Sequence, residues 1–243
     1  YDISACLVGS EMCIRDRVIG KLTDMRSSGI AEIPKIEKRR THARTRLVWL
    51  SNPRSDSPVA NYSYGVDAIK ELIGSLEDVR RFDMCLLVSA NDVSDSEINK
   101  QVKGKQPKYS SELCRNLILW GWTADDVHFD QDAVDAIIDA STKMVNRFTD
   151  AIPIVDKGSM RYKLARLAAA LAVRTFSEEG GKVKVRVCHV EYIHEYLTTL
   201  YSSRTFGYED LTKSLKLQNE ISDPETLRRA IINTPFPKDL VQN

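Results

Sequence analysis

Asn52 and Arg81 are the side chains best suited, by type and setting, to chemistry at an anionic group. Each belongs to a short polar string beside an apolar run. Leu50-Ser51-Asn52-Pro53-Arg54 closes the run Leu47-Val48-Trp49-Leu50, and Arg80-Arg81-Phe82-Asp83 opens the run Met84-Cys85-Leu86-Leu87-Val88. Both runs have the composition and length of buried strands, so the sequence predicts a polar tip where each strand ends or begins. Open α/β sheets hold their ligands at such places. A neutral amide there can donate to a phosphoryl oxygen or orient an attacking water without adding charge. A guanidinium stays charged and offers a planar fork as negative charge develops on those oxygens. Plainer readings stand beside these. Asn before Pro commonly opens a turn, and Arg81 also reads as a strand-entry arginine paired with Asp78 or Asp83, with Arg80 as a shifted alternative.

The elements that must position these tips follow from periodicity and breakers. Val18, Ile19, Leu22 and Met25 have helical spacing, stopped by Ser27-Ser28-Gly29. From Ile30 to Arg46 the chain alternates weakly and carries Lys35, Lys38, Arg39, Arg40, Arg44 and Arg46 against Glu32 and Glu37, which predicts a basic hairpin or extended loop. Such a finger suits phosphate contacts that do not read bases, and equally reads as a solvated positive face. Pro53 to Gly65 is turn-rich, and a helix is predicted from about Asp67 to Ser75. Residues 94–109 are polar and broken by Gly104 and Pro107, which marks a linker.

Beyond the linker the pattern is helical over Ser110–Trp120, Gln131–Phe148, Ser159–Phe176 and Val190–Ser202, with Asp130 placed to cap the second. Gly180-Gly181 reads as a turn ahead of a short strand over Lys182–Val187. Two more short helices are predicted at Tyr208–Asn219 and Pro224–Asn233. The alanines Ala165, Ala168, Ala169 and Ala172 predict close helix packing. Arg161 opens the Ser159 helix.

Composition narrows the class. A chain of 243 residues that is 42% hydrophobic can bury one good core, or a small core with a helical satellite. A net charge of +1 excludes a uniformly basic coat protein for nucleic acid while leaving room for a local basic patch. No apolar run is long enough to span a membrane, so a soluble protein without a membrane partner is expected. The five cysteines lack C-x-x-C spacing, which predicts reduced thiols, a cytoplasmic setting and no metal site. His189 and His194 are five apart and do not share a helix face as metal ligands at i, i+4 would.

Residues 1–17 resemble a translated sequencing-library adapter, through Cys6-Leu7-Val8-Gly9-Ser10-Glu11-Met12-Cys13-Ile14-Arg15-Asp16. They are set aside from fold reasoning, as any such scar is. The authentic sequence is then expected to begin near Val18 and to have continued upstream.

In order and spacing, the helix, basic hairpin, Asn-Pro tip, helix, Arg-Phe-Asp string and helical tail resemble the C-terminal half of a AAA+ ATPase. The likeness is strongest to the minichromosome maintenance (MCM) helicases and covers roughly Val18 to Tyr201. It implies an α/β fold: a partial AAA+ P-loop NTPase core over 18–93, a linker over 94–109 and an all-helical lid over 110–203. Residues 204–243 would lead toward a C-terminal helical or winged-helix region. Asn52 matches the family's sensor 1 residue, Arg81 its arginine finger, and Arg161 its sensor 2 arginine, with Arg166 in Arg166-Leu167-Ala168 as the other register. Lys35, with Lys38, Arg39 and Arg40, matches the hairpin that projects into the ring's pore.

The resemblance further implies ATP and Mg2+ as cofactors, DNA as partner, and self-association into a hexameric ring at the nucleoid. No G-x-x-x-x-G-K-S/T occurs, and no apolar strand ends in Asp-Glu. Both elements are expected upstream, so this chain alone is expected not to hydrolyse ATP. Two other readings stay open: a remodelling ATPase of the magnesium-chelatase or MoxR kind, and a helical DNA-binding or docking module without enzymatic role.

Overall fold

The computed structural model describes residues 30–34, 38–42, 47–52, 57–100, 107–124, 126–222, 228–229 and 232. The adapter-like segment, the helix expected over Val18–Ser27, Lys35 and most of Pro224–Asn233 lie outside the described residues. The chain is mixed α/β and mostly helical. Among the described residues no helix is long and apolar enough to cross a membrane.

The first described element is a hairpin, one of the two forms, hairpin or extended loop, expected over Ile30 to Arg46. Strand β1 (Ile30–Pro34) pairs antiparallel with β2 (Lys38–His42), with Ile30 opposite His42 and Glu32 opposite Arg40. After it, the apolar runs depart from expectation. Neither Leu47–Leu50 nor Met84–Val88 is a strand. Val48 is 83% exposed and Leu50 90%, and in the second run Leu86 and Val88 are exposed while Leu87 is buried. An extended segment becomes a strand only when another backbone lies alongside to take its amides and carbonyls. Among the described residues the two sheets are β1-β2 and a separate three-stranded one. Residues 84–89 are instead held by side chains, with Leu87 and Ser89 directed inward.

Between these runs lie α1 (Ala68–Ile73) and α2 (Leu76–Arg80). A single helix was expected here from about Asp67 to Ser75. Gly74 at φ 104° ends the first helix, and Ser75 starts the second by accepting the Asp78 amide on its hydroxyl at 3.1 Å. A one-turn helix, α3 (Asp95–Ile98), follows.

The helical body comprises α4 (Ser111–Thr123), α5 (Gln131–Arg147), α6 (Met160–Arg174), α7 (Val187–Tyr201) and α8 (Tyr208–Ser222). Its sheet, in the order β3-β5-β4, joins β3 (Val127–Phe129), β4 (Glu178–Glu179) and β5 (Lys182–Val185). Two details differ from the sequence reading. Asp130 makes no side-chain cap to α5, because its carboxylate pairs with Lys184 at 3.0 Å. The strand ends at Val185 and α7 starts three residues early, because His189 Nδ1 accepts the Arg186 amide at 3.0 Å and closes that helix start. Gly180 and Gly181 form the expected turn with φ of 60° and 81°, a conformation that glycine adopts without steric cost.

One core runs through the whole of this region. Met144, Leu164, Ala168, Val183, Val185 and Leu197 fill the body, and Val66, Ile69, Val79 and Leu87 join the same buried cluster from the preceding segment. Each buried valine, leucine, isoleucine or methionine among them contributes about 1.5–3 kcal/mol of burial. The seam is closed by backbone. The Val66 amide donates to the Phe206 carbonyl at 2.8 Å, and within the body the one Tyr208 hydroxyl proton is shared between the carbonyls of Thr149 and Ile152. At the seam, a Cβ on Gly65 would lie 1.9 Å from the Thr205 carbonyl oxygen. Gly65→Ala is therefore expected to lower stability by about 1–3 kcal/mol through forced displacement of this backbone, read as a drop in the urea midpoint without a change in slope.

Candidate functional site

The arginines of interest lie at the end of α2. Val79 is buried and fixes the helix, while Arg80 and Arg81 leave its last turn beside each other. Arg81 occupies the helix C-cap rather than a strand entry. Its guanidinium contacts Asp78 Oδ1 at 3.3 Å, so of the two carboxylates the sequence offered, Asp78 is the partner. Asp83 is taken by Arg166 from α6, whose Nε donates at 2.8 Å and whose second nitrogen meets the same oxygen. Arg80 contacts Glu77 at 3.2 Å and, through Nε, Asp156 at 3.6 Å. Asp156 also accepts the Ser159 amide at 3.1 Å, at the entrance to α6.

Beneath this row of ion pairs sits Lys163, 1% exposed. Its Nζ donates to the Ile154 carbonyl at 2.7 Å and reaches that of Pro153 at 3.5 Å. Burial pushes its pKa down from 10.5 to about 8, while Cys85, Asp83 and Asp156 hold it up and Arg166 adds to the depression. Burial likewise pushes the Cys85 thiol up to about 11, opposed by Lys163. A buried lysine with carbonyl acceptors and neighbouring carboxylates is a joint between α6, the 152–156 loop and the segment after α2.

The other predicted residues lie apart from this cluster. Asn52 is exposed on the extended segment 47–52, where its carbonyl accepts the Ser51 hydroxyl at 3.0 Å. Arg161 is exposed on the first turn of α6, lies over the Tyr162 ring at 4.7 Å and donates to its hydroxyl at 2.9 Å. Arg40 is exposed on β2, and Lys38 and Arg39 belong to the same strand. Lys35 lies outside the described residues. Among the described residues no group of three or more His, Cys, Asp or Glu is placed to hold a metal.

Sequence reasoning missed Lys163 and both interelement ion pairs. A signal for Lys163 was present: it falls next to Leu164 and one turn from Met160, on the apolar stripe of α6. Asp83 and Arg166 are 83 residues apart and gave none. Against known proteins, the chain matches no family model and no curated sequence.

The depressed Lys163 value has a definite pH consequence. The unfolded chain keeps this proton up to about 10.5 and the folded one releases it near 8, so the Lys163 contribution to stability is full above 10.5 and lost as pH falls through 8. Cys85 acts in the opposite sense above 9.0. Stability is therefore expected to rise by about 1 kcal/mol between pH 8 and 9 and then level off; denaturant titrations across that range should show the rise in the native chain and its loss in Lys163→Met.

Proposed function

We propose that this chain is the C-terminal portion of the AAA+ module of an MCM-like ATPase that assembles as a ring and works on DNA. The observation that carries the reading is the two-stranded basic hairpin β1-β2. It stands immediately ahead of the Asn52 tip and the Arg80-Arg81 turn, and the helical body follows, in the order the resemblance requires.

In this reading Asn52 serves the ATP of its own subunit. Arg81 completes the site of the neighbour by exchanging Asp78 for phosphoryl oxygens, and Arg161 faces nucleotide beneath the helical body. These donors fit the oxygens of a polyphosphate and not its magnesium, whose acidic ligand and phosphate cradle the reading assigns to upstream sequence. ATP bound there supplies the phosphoanhydride whose cleavage drives motion. The hairpin then shifts against a strand in the pore, with contacts to phosphates that do not depend on sequence.

A second reading has its own support. Neither Asn52 nor Arg81 sits on a strand, which favours a helical DNA-binding or docking module. Recovery of the upstream reading frame separates the two, because a P-loop followed by an apolar strand ending in Asp-Glu rejects the module. A remodelling ATPase of the magnesium-chelatase or MoxR kind predicts instead that DNA leaves ATP hydrolysis unchanged at low salt.

In protein carrying its upstream sequence, Arg81→Ala is expected to lower turnover by about a thousandfold or more with ATP binding retained; hydrolysis at the native rate rejects the finger. Arg40→Glu is expected to weaken DNA binding on all sequences alike and to reduce the salt dependence by about one counterion, measured by anisotropy titrations at several salt concentrations.

A further inference from the structure

Arg81 lies between two side-chain contacts, one to the loop that leads into α6 and one to α6 itself. Immediately before it, Arg80 meets Asp156, which also accepts the amide of Ser159 at the start of α6. Two residues after it, Asp83 receives two guanidinium nitrogens of Arg166. On α6 itself the direct contact is Arg166 with Asp83, while Arg80 meets the loop that leads into the helix. No regular secondary structure fixes the backbone from Phe82 to Ser89. Side-chain contacts therefore bear on where this segment runs as it leaves Arg81, which itself caps α2 and contacts Asp78.

We propose that Arg166, acting through Asp83, is a positioning residue for Arg81, joining the finger and α6 into one moving body. The inference rests on the proposed function and deepens it. A displacement of the helical body by nucleotide in one subunit would then reset the arginine presented to the next. Arg166, which sequence offered as an alternative contact to nucleotide, works instead within its own chain. The planar fork matters because two nitrogens on one carboxylate oxygen fix direction as well as distance, which a lysine does not do. Arg166 and Asp83 are also partly exposed, at 55% and 38% of their side chains. Exposed pairs contribute little to stability, so losing the Arg166 side of this one, with Asp83 still facing Lys163, should leave the fold intact and appear in the placement of Arg81.

The test is a charge exchange with two readouts. In protein carrying its upstream sequence, Arg166→Glu and Asp83→Arg should each lower kcat about tenfold or more with the KM for ATP within about twofold, since misplacing a catalytic group by about an ångström is that costly. The double variant should return to within about threefold of native kcat, as coupled neighbours do. Native kcat in Arg166→Glu, or a double variant as slow as the singles, overturns the proposal. In the 243-residue chain, hydrogen exchange of amides 81–89 should quicken about fivefold or more in Arg166→Glu and recover in the double variant. Unchanged exchange in Arg166→Glu overturns the proposal whatever the ATPase result. Absence of ATPase in the native protein rejects the proposed function alone, and the exchange readout then decides the attachment by itself.

Discussion

A lysine ammonium taken out of water must find acceptors and opposite charge, and Lys163 imposes that condition on everything around it. Its position on the inner stripe of α6 is forced by the helical period, since Met160, Leu164 and Ala168 bury the same side of the helix. Removing the charge from solvent costs several kcal/mol before compensation. The compensation comes from two carbonyls of the 152–156 loop and from the carboxylates of Asp83 and Asp156. Three separate stretches of chain thereby converge on one nitrogen. The loop must present its carbonyls inward, and the segment after α2 must bring Asp83 close.

That convergence gives the surface above it its order. Arg80 and Arg166 take the remaining faces of Asp156 and Asp83. Arg81 contacts Asp78 within its own short helix. Val79 and Leu87 anchor the segment to the helical body at either end of the arginine turn, so the turn is carried by the body rather than by a sheet of its own.

The helical body was legible in the sequence because most of its helices bury a stripe long enough to show as a period, while α4 (Ser111–Thr123) shows the period without burying a residue. Gln131–Arg147 and Met160–Arg174 fall within a few residues of the expected limits, and the hairpin was legible from weak alternation and its charges. Much less of the candidate site could be read. Short elements such as β3, β4 and α2 contain too few residues for a period, and their limits come from partners: β3 exists because β5 lies beside it. The apolar runs 47–50 and 84–88 were misread for the same reason in reverse. Their composition suits a strand, but a strand is a relation between two backbones.

What the sequence determined by itself was therefore local and periodic: the helices, the turn at Gly180-Gly181, the basic hairpin, and the order in which Asn52, Arg81 and Arg161 occur. Tertiary structure alone decided which charges meet. Arg81 pairs with Asp78 and not Asp83 because Arg166 arrives from 83 residues away to claim Asp83. Asp130 makes no side-chain cap to its helix, and its carboxylate pairs instead with Lys184. Charge pairing depends on distances of a few ångströms, and those distances are set by how the elements pack.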